Sequence, residues 1–232
     1  MICMLFLRAA GITGRVVLVG HSLGGLFATL YADKFESNLA GLVLVAPSFS
    51  GQFDYTASQQ DKDIILASGN QWASQLQTCK KLAQEGGLSK NDSHNCFYPP
   101  TNLTPNETKY VTHQFHQPSY YASSLSEDEN FDPGESGSFI DGDQERRLQR
   151  SFGKLPLEVL TAGLTFNNAT VSEAGKKAMA DNWKSGHDKL AQRSTRGESI
   201  LVPHSRHFIQ FDQPERVVAA IRKVVLESHQ YQ

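Results

Sequence analysis

The chain has 232 residues, of which 39% are hydrophobic and 20% are charged, and its formal net charge at pH 7 is −2. This length and apolar fraction are typical of one globular domain with a buried core. The near-neutral charge argues against nucleic acid as a partner, and no apolar run reaches the roughly 18 residues that a membrane span needs.

The first eight residues form an apolar run that could be mistaken for a signal peptide. Its one charge, Arg8, follows the apolar run instead of preceding it, and no small-residue cleavage site leads into a polar segment. We therefore interpret this run as the end of a helix that Gly11 and Gly14 terminate.

A strand, a tight turn and a helix follow in direct succession. Residues 16–19 are a short apolar run, and residues 20–24 read Gly-His-Ser-Leu-Gly. Apolar residues then recur at helical spacing, at Leu23, Leu26, Phe27, Leu30 and Tyr31. This context exposes the hydroxyl of Ser22 at the tip of a strained turn, with the N–H groups of a helix start beside it. We expect Gly20 and Gly24 to be needed where the backbones approach closely.

A second continuous apolar run, residues 39–46, contains β-branched residues and ends at Pro47. This pattern predicts a buried parallel strand. Together with residues 16–20 and the helix between them, it predicts a βαβ unit with a right-handed crossover.

The composition changes between residues 48 and 154, where Gln, Ser, Asn and Asp dominate and several prolines interrupt long elements. Helical segments are expected near residues 61–82 and 142–152. We predict that residues 49–154 form a helical lid inserted between two core segments, 1–48 and 155–232.

The core pattern resumes with a strand over residues 155–163, a helix over 173–193 and a short strand over 199–203. Residues 213–227 then form an amphipathic helix with proline in its first turn. Its apolar face consists of Val217, Val218, Ile221, Val224 and Val225. The sequence thus predicts an α/β fold, a mainly parallel sheet with helices on both faces and an inserted helical lid.

The three cysteines, Cys3, Cys79 and Cys96, lack metal-ligand spacing, so we predict no metal site. Cys79 and Cys96 flank a polar loop, and either a disulfide or two free thiols fits this pattern. Asn-x-Ser/Thr sequences permit a secreted or periplasmic history, which leaves the compartment open. They begin at Asn91, Asn102, Asn106 and Asn168.

Two stretches resemble the α/β-hydrolase family. Val-Gly-His-Ser-Leu-Gly-Gly, residues 19–25, resembles its nucleophile elbow, and residues 205–221 resemble its histidine loop and terminal helix. The resemblance implies that Ser22 is the nucleophile, that His207 is its general base and that the backbone N–H of Leu23 is an oxyanion donor.

Two other histidines lie near these positions. His204 precedes His207 in the same loop and is a rival for the role of base. His21 stands beside the nucleophile, where we expect it to pack or to form a local hydrogen bond instead of acting as the base.

In the family, a carboxylate completes a catalytic triad with the serine and the histidine, and here the sequence departs from the family. One usual position, the turn at residues 164–168, carries no carboxylate, and the other is Ala46. We favour Glu127, because Ser-Glu followed by Asn-Phe-Asp resembles a pattern in the lids of related bacterial hydrolases. A solvated or lid-fixing carboxylate is the alternative. The remaining candidates are Asp128, Glu129, Asp132, Glu173 and Asp181.

The resemblance covers most of this chain, but the family has several strands and a helix before the elbow. We therefore expect the chain to correspond to the C-terminal part of the fold, as from a truncated product or an internal start. That part of the fold leaves one sheet edge open. It also lacks one oxyanion donor, and loss of one such donor lowers the rate by about 10²–10³-fold in known cases.

The resemblance implies hydrolysis of an ester or another acyl bond in a small-molecule substrate, by a Ser-His(-acid) acyl-enzyme mechanism without metal or organic cofactor. One alternative is a catalytically impaired fragment that acts as a binding or interaction module. The other is acyl transfer to an alcohol or an amine. The oligomeric state is left open.

Overall fold

A computed structural model describes residues 2–88, 94–96, 103–131, 140–167 and 169–229. The chain forms two compact units, one consisting of Met1–Ala57 with Asp141–Gln232 and the other of Ser58–Ile140. The predicted lid, residues 49–154, contains the second unit, whereas its flanks, 49–57 and 141–154, belong to the first unit.

The first unit is built from strands, the helices that follow them and a short 3₁₀ turn. Along the chain these elements are α1 (Ile2–Ala9), β1 (Val16–His21), α2 (Leu23–Phe35), the 3₁₀ turn Glu36–Asn38 and β2 (Leu39–Val45). Helices of the second unit follow as α3 (Gln59–Gln84), α4 (Pro105–Phe115) and α5 (Pro118–Phe131). Next comes α6 (Ile140–Leu148), which belongs to the first unit from Asp141 onward. The first unit then continues as β3 (Leu157–Ala162), α7 (Glu173–Ala191), β4 (Gly197–Val202), α8 (Ile209–Asp212) and α9 (Pro214–His229).

The four strands form one parallel sheet in the order β1-β2-β3-β4. In the register, Val19 pairs with Val43, and Leu160 pairs with Ile200. The predicted α/β fold with a parallel sheet is therefore confirmed. Because every strand runs in the same direction, the chain segments that follow β1, β2 and β4 all emerge at one edge of the sheet.

The central strands β2 and β3 are almost wholly buried, as their continuous apolar runs predict. Helix α9 packs on the sheet through Val217, Ala220 and Val224. Gly41 of β2 permits this approach, because a Cβ atom there would lie 2.2 Å from Cγ1 of Val224. No helix in the described part of the chain is long and apolar enough to span a membrane.

Two residues predicted to face the core are exposed instead. The side chain of Phe27 is 43% exposed on α2, and that of Val218 is 44% exposed on α9. Each helix turns only part of its apolar stripe toward the sheet, so residues at the margin of the stripe stay in contact with solvent.

The second unit is helical and has its own small core. Its buried side chains are Leu76, Cys79, Cys96, Phe115, Tyr121 and Leu125. The hydroxyl of Tyr121 donates to the carbonyl oxygens of Cys96 and Phe115, at 3.0 and 2.8 Å. Pro105 and Pro118 begin α4 and α5, two helices that the sequence analysis did not predict, because proline fits the first turn of a helix.

Cys79 and Cys96 form a disulfide with a Cα–Cα distance of 5.4 Å, which resolves the two alternatives that the sequence left open. Because the bond closes a short loop, we expect the Cys79→Ser/Cys96→Ser variant to lose about 3 kcal/mol of unfolding free energy in the second unit. Urea unfolding of the variant and of the wild type measures this loss.

Thiol titration in denaturant is the control for the bond itself. We expect one free thiol per chain without reductant and three with it, since only Cys3 lies outside the pair. Three free thiols without reductant would contradict the disulfide.

Candidate active site

Ser22 lies between the last residue of β1 and the first residue of α2, and its backbone is strained, with φ 53° and ψ −124°. Such a conformation costs about 1–3 kcal/mol in a residue other than glycine. The backbone N–H of Ser22 donates to the carbonyl oxygen of Val45 at 3.1 Å, and its own carbonyl accepts from the N–H of Ser48 at 2.9 Å. The end of β2 therefore holds the turn in place.

The glycines of this turn differ in whether a side chain would fit at their positions. A Cβ atom on Gly20 would lie 2.4 Å from the carbonyl oxygen of Gly24, and one on Gly25 would lie 2.5 Å from Cβ of Pro47. A Cβ atom on Gly24 would meet no atom within 4 Å. The prediction is thus confirmed for Gly20 and wrong for Gly24, because the close approach to Pro47, just after β2, falls one residue later, at Gly25.

His207 and Ser22, 185 residues apart in sequence, are brought into hydrogen-bond contact. His207 lies in the loop between β4 and α8, and its Nε2 is 2.9 Å from Oγ of Ser22. The N–H of Leu164 donates to the carbonyl oxygen of Ser205 at 2.9 Å, which anchors this loop to the end of β3. His204, the rival base, lies exposed on the same loop.

Leu23 is the first residue of α2. Its backbone N–H belongs to the first turn, in which N–H groups have no acceptor within the helix and the helix dipole favours negative charge. The arrangement therefore presents a donor of the kind that an oxyanion requires, next to the hydroxyl of Ser22.

Aromatic rings surround the imidazole of His207. The ring centroid of His21 lies 4.8 Å from that of His207, and the centroid of Trp183 lies 6.2 Å away. Burial, together with the nearby His21, lowers the pKa of His207 to about 4. The imidazole is therefore neutral at pH 7, the form that can accept a proton.

The low pKa of His207 predicts the pH profile of a reaction that needs its neutral form. We expect the rate of such a reaction to be level above about pH 5 and to fall tenfold per pH unit below pH 4. The measurement is kcat/KM against pH, and an inflection near 6.5, the ordinary pKa of histidine, would contradict the expectation.

Circular dichroism at each pH is the control for this profile. Burial also lowers the pKa of His187 to about 4. The unfolded chain therefore binds more protons than the folded chain between pH 6.5 and 4, and stability falls as the pH falls through this window.

The other ring nitrogen of His207, Nδ1, is buried and has no hydrogen-bond partner among the described residues. Ala46, one usual position of the acid, is fully buried and adopts φ 43°. Glu173 and Asp181 lie exposed on α7, where they pair with Lys176 and Lys177. These two carboxylates therefore belong to the helix surface.

The other acid candidates lie between β2 and β3 in the chain. Glu127 lies on α5 in the second unit with an exposed side chain, and Asp128 and Glu129 follow it on the same helix. Asp132 lies outside the described residues. Within the described ranges, no group of three or more His, Cys, Asp and Glu side chains is placed to hold a metal ion.

His187 is a residue that the sequence analysis missed. Its Nε2–H donates to the carbonyl oxygen of Pro47 at 2.8 Å, and its Nδ1 accepts from the hydroxyl of Thr161 at 2.7 Å. It thereby ties together the ends of β2 and β3 beside the site. Nothing in the sequence distinguishes this histidine from the others, since its role depends on contacts between distant elements.

Solved structures with the same fold were found at low sequence identity. The haloalkane dehalogenase DatA from Agrobacterium tumefaciens, crystallised as a point mutant, is 15% identical, with a TM-score of 0.56 over 94% of this chain and 69% of that chain. The hydrolase MGS-M2, from a Medee basin deep-sea metagenome library, is 14% identical, with a TM-score of 0.51 over 97% and 69%.

A third structure was described with carboxylesterases of the thaumarchaeon Nitrososphaera gargenis. It is 12% identical, with a TM-score of 0.52 over 98% of this chain and 70% of that chain. Across eight such structures, this chain spans 66–73% of their length. At these identities the likeness concerns the fold alone.

No curated protein matches the chain. The model of the alpha/beta hydrolase family matches residues 5–220, which include the strained serine turn and the histidine loop. The chain therefore belongs to the alpha/beta hydrolase family.

Proposed function

We propose that this protein hydrolyses carboxylic esters through an acyl-enzyme on Ser22. The observation that carries the proposal is the distance of 2.9 Å between Nε2 of His207 and Oγ of Ser22. A serine hydroxyl is a weak nucleophile unless a neighbouring base takes its proton, and a neutral imidazole at this distance can do so.

The reaction follows from this geometry in two halves. As Oγ of Ser22 attacks the ester carbonyl, Nε2 of His207 takes the hydroxyl proton, and the N–H of Leu23 donates to the oxyanion. The C–O bond to the alcohol then breaks, and the alkoxide leaves with the proton from His207. Water then attacks the acyl carbon and gives a proton to the same imidazole. The bond between the acyl carbon and Oγ breaks, Oγ takes the proton back from the imidazolium, and the carboxylic acid is released.

The surface beside this pair suits an apolar substrate. Phe208 and Phe211 are 50% and 69% exposed, and their rings stack at 5.8 Å beside His207. We therefore favour small esters with an apolar acyl or alcohol group, which these rings would contact.

Hydrolysis of p-nitrophenyl butyrate tests the proposal. We expect p-nitrophenol release that saturates with substrate and stops after treatment with a fluorophosphonate. Release no faster than in buffer, from a chain shown to be folded, would contradict it and leave the binding or interaction module as the function. Butyrate esters formed when methanol is added would identify acyl transfer.

Glu127 is our candidate for the acid that stabilises the imidazolium of His207. If it has this role, Glu127→Gln lowers kcat by about 10²- to 10⁴-fold, because the imidazolium loses its counter-charge. Glu129→Gln, on the same helix, is the matched control, with an expected rate like that of the wild type. Equal rates in the two variants would remove Glu127 from the mechanism.

A further inference from the structure

His21 connects the serine turn to the histidine loop through a hydrogen bond outside the Ser22–His207 pair. It is the last residue of β1, directly before Ser22, and its Nε2 is 3.1 Å from the carbonyl oxygen of His207. Since a carbonyl oxygen only accepts, Nε2 of His21 carries the proton and its Nδ1 carries the lone pair.

The ring of His21 also packs against the histidine loop. Its centroid lies 4.8 Å from that of His207 and 5.1 Å from that of Phe208. Burial lowers the pKa of His21, and the hydrogen bond to His207 opposes this shift. The neutral ring adds no full positive charge beside a base that must itself become positive during the reaction.

The imidazole of His207 has little else among the described residues to fix its orientation. Its Nδ1 has no hydrogen-bond partner there, and the contact on this side of the ring that the structure describes is aromatic packing, with the ring centroid of Trp183 6.2 Å away. The main chain of His207, by contrast, is bonded directly to the residue that precedes the nucleophile.

We propose that His21 is a positioning residue, whose hydrogen bond to the main-chain carbonyl of His207 holds the base within reach of Oγ of Ser22. The inference rests on the proposed function, for which the distance between base and nucleophile decides the rate. Because His21 and Ser22 are adjacent, any movement of the histidine loop relative to the turn must break or bend this bond. Misplacement of a reacting group by about 1 Å can cost 10²-fold in rate.

Three substitutions separate the hydrogen bond from the ring contacts. His21→Gln places an amide nitrogen the same number of bonds from Cβ as Nε2 of histidine, so it retains the donor. His21→Asn places the amide nitrogen at the position of Nδ1 and cannot reach the carbonyl. His21→Phe retains an aromatic ring against Phe208 and has no donor.

Two readouts are needed, one of which does not depend on activity. The first is the kinetics of p-nitrophenyl butyrate hydrolysis. The second is the set of imidazole ¹⁵N resonances of His207, measured in folded ¹⁵N-histidine-labelled protein and assigned by comparison with His207→Gln.

We expect kcat about 10- to 100-fold lower in His21→Phe and His21→Asn, KM little changed, and kcat within about threefold of the wild type in His21→Gln. The resonances of His207 should move in the Phe and Asn variants and return in the Gln variant. An inactive wild type with this spectral pattern would overturn the ester hydrolysis and support the positioning role. Unchanged resonances in His21→Phe would overturn the positioning role, whether or not the wild type is active.

Discussion

Replacement of Ser22 by alanine is expected to lower the rate of ester hydrolysis by about 10³- to 10⁶-fold. The proposed acyl-enzyme forms on Oγ of Ser22, the atom that lies 2.9 Å from Nε2 of His207. Alanine removes this oxygen and retains Cβ, so the variant tests the chemistry with little change in shape.

The fold should survive this substitution. The bonds that hold the turn, from Ser22 to Val45 and from Ser48 to Ser22, involve main-chain atoms, which alanine also has. We therefore expect an unfolding midpoint close to that of the wild type.

Ser185→Ala is the matched control, because Ser185 is an exposed serine on α7. It should hydrolyse p-nitrophenyl butyrate at the rate of the wild type. A Ser22→Ala variant with the activity of Ser185→Ala would show that the activity does not pass through Ser22.

Replacement of Arg193 by alanine is expected to cost about 3–5 kcal/mol of unfolding free energy. Its guanidinium forms ion pairs with Asp33 of α2 and with Glu145 of α6, the latter at 2.9 Å. It also lies 4.1 Å above the ring of Phe152. Without it, two carboxylates with side-chain exposures of 0% and 1% would have no ion-pair partner among the residues that the structure describes.

The same loss should depend on pH. Burial raises the pKa of Asp33, and the guanidinium of Arg193 opposes this rise. Without the guanidinium, the pKa of Asp33 in the folded chain rises further above its unfolded value. A carboxyl whose pKa is higher in the folded chain than in the unfolded chain stabilises the fold at low pH, and this stabilisation is lost as the pH rises. The unfolding free energy that Arg193→Ala loses relative to the wild type should therefore be smaller at pH 5 than at pH 7.

Arg146→Ala is the control for this variant. Arg146 pairs with Asp54 at 3.1 Å and donates to the carbonyl oxygen of Ser50 at 2.7 Å, but the two charged side chains are 53% and 60% exposed, so a loss of only about 1–2 kcal/mol is expected. Urea unfolding followed by circular dichroism measures both variants. Equal losses in Arg193→Ala and Arg146→Ala would contradict the account of a buried ion cluster.

The sheet, its principal helices and the Ser22–His207 pair could be predicted because each depends on a local pattern. Residues 39–46 form a continuous apolar run with β-branched residues that ends at a proline, a pattern typical of a strand buried on both faces. Ser22 was found from glycine spacing between a strand and a helix, and His207 from a loop that precedes an amphipathic helix.

The ion cluster of Arg193 and the buried His187 could not be predicted in this way. Arg193 meets a carboxylate on α2 that is 160 residues away, and only the assembled fold brings the two together. His187 bridges the ends of β2 and β3 for the same reason. Which glycine of a tight turn is needed likewise depends on how closely other parts of the chain approach it. Gly25 lies against Pro47, whereas Gly24 does not.

Covalent labelling with a fluorophosphonate, followed by peptide mass mapping, shows whether Ser22 is an activated nucleophile. Attack by Oγ on phosphorus displaces fluoride and leaves a stable adduct on the serine. We expect one adduct per folded chain, located on Ser22 and absent after unfolding in urea. A folded chain that forms no adduct, or an adduct on another residue, would contradict it.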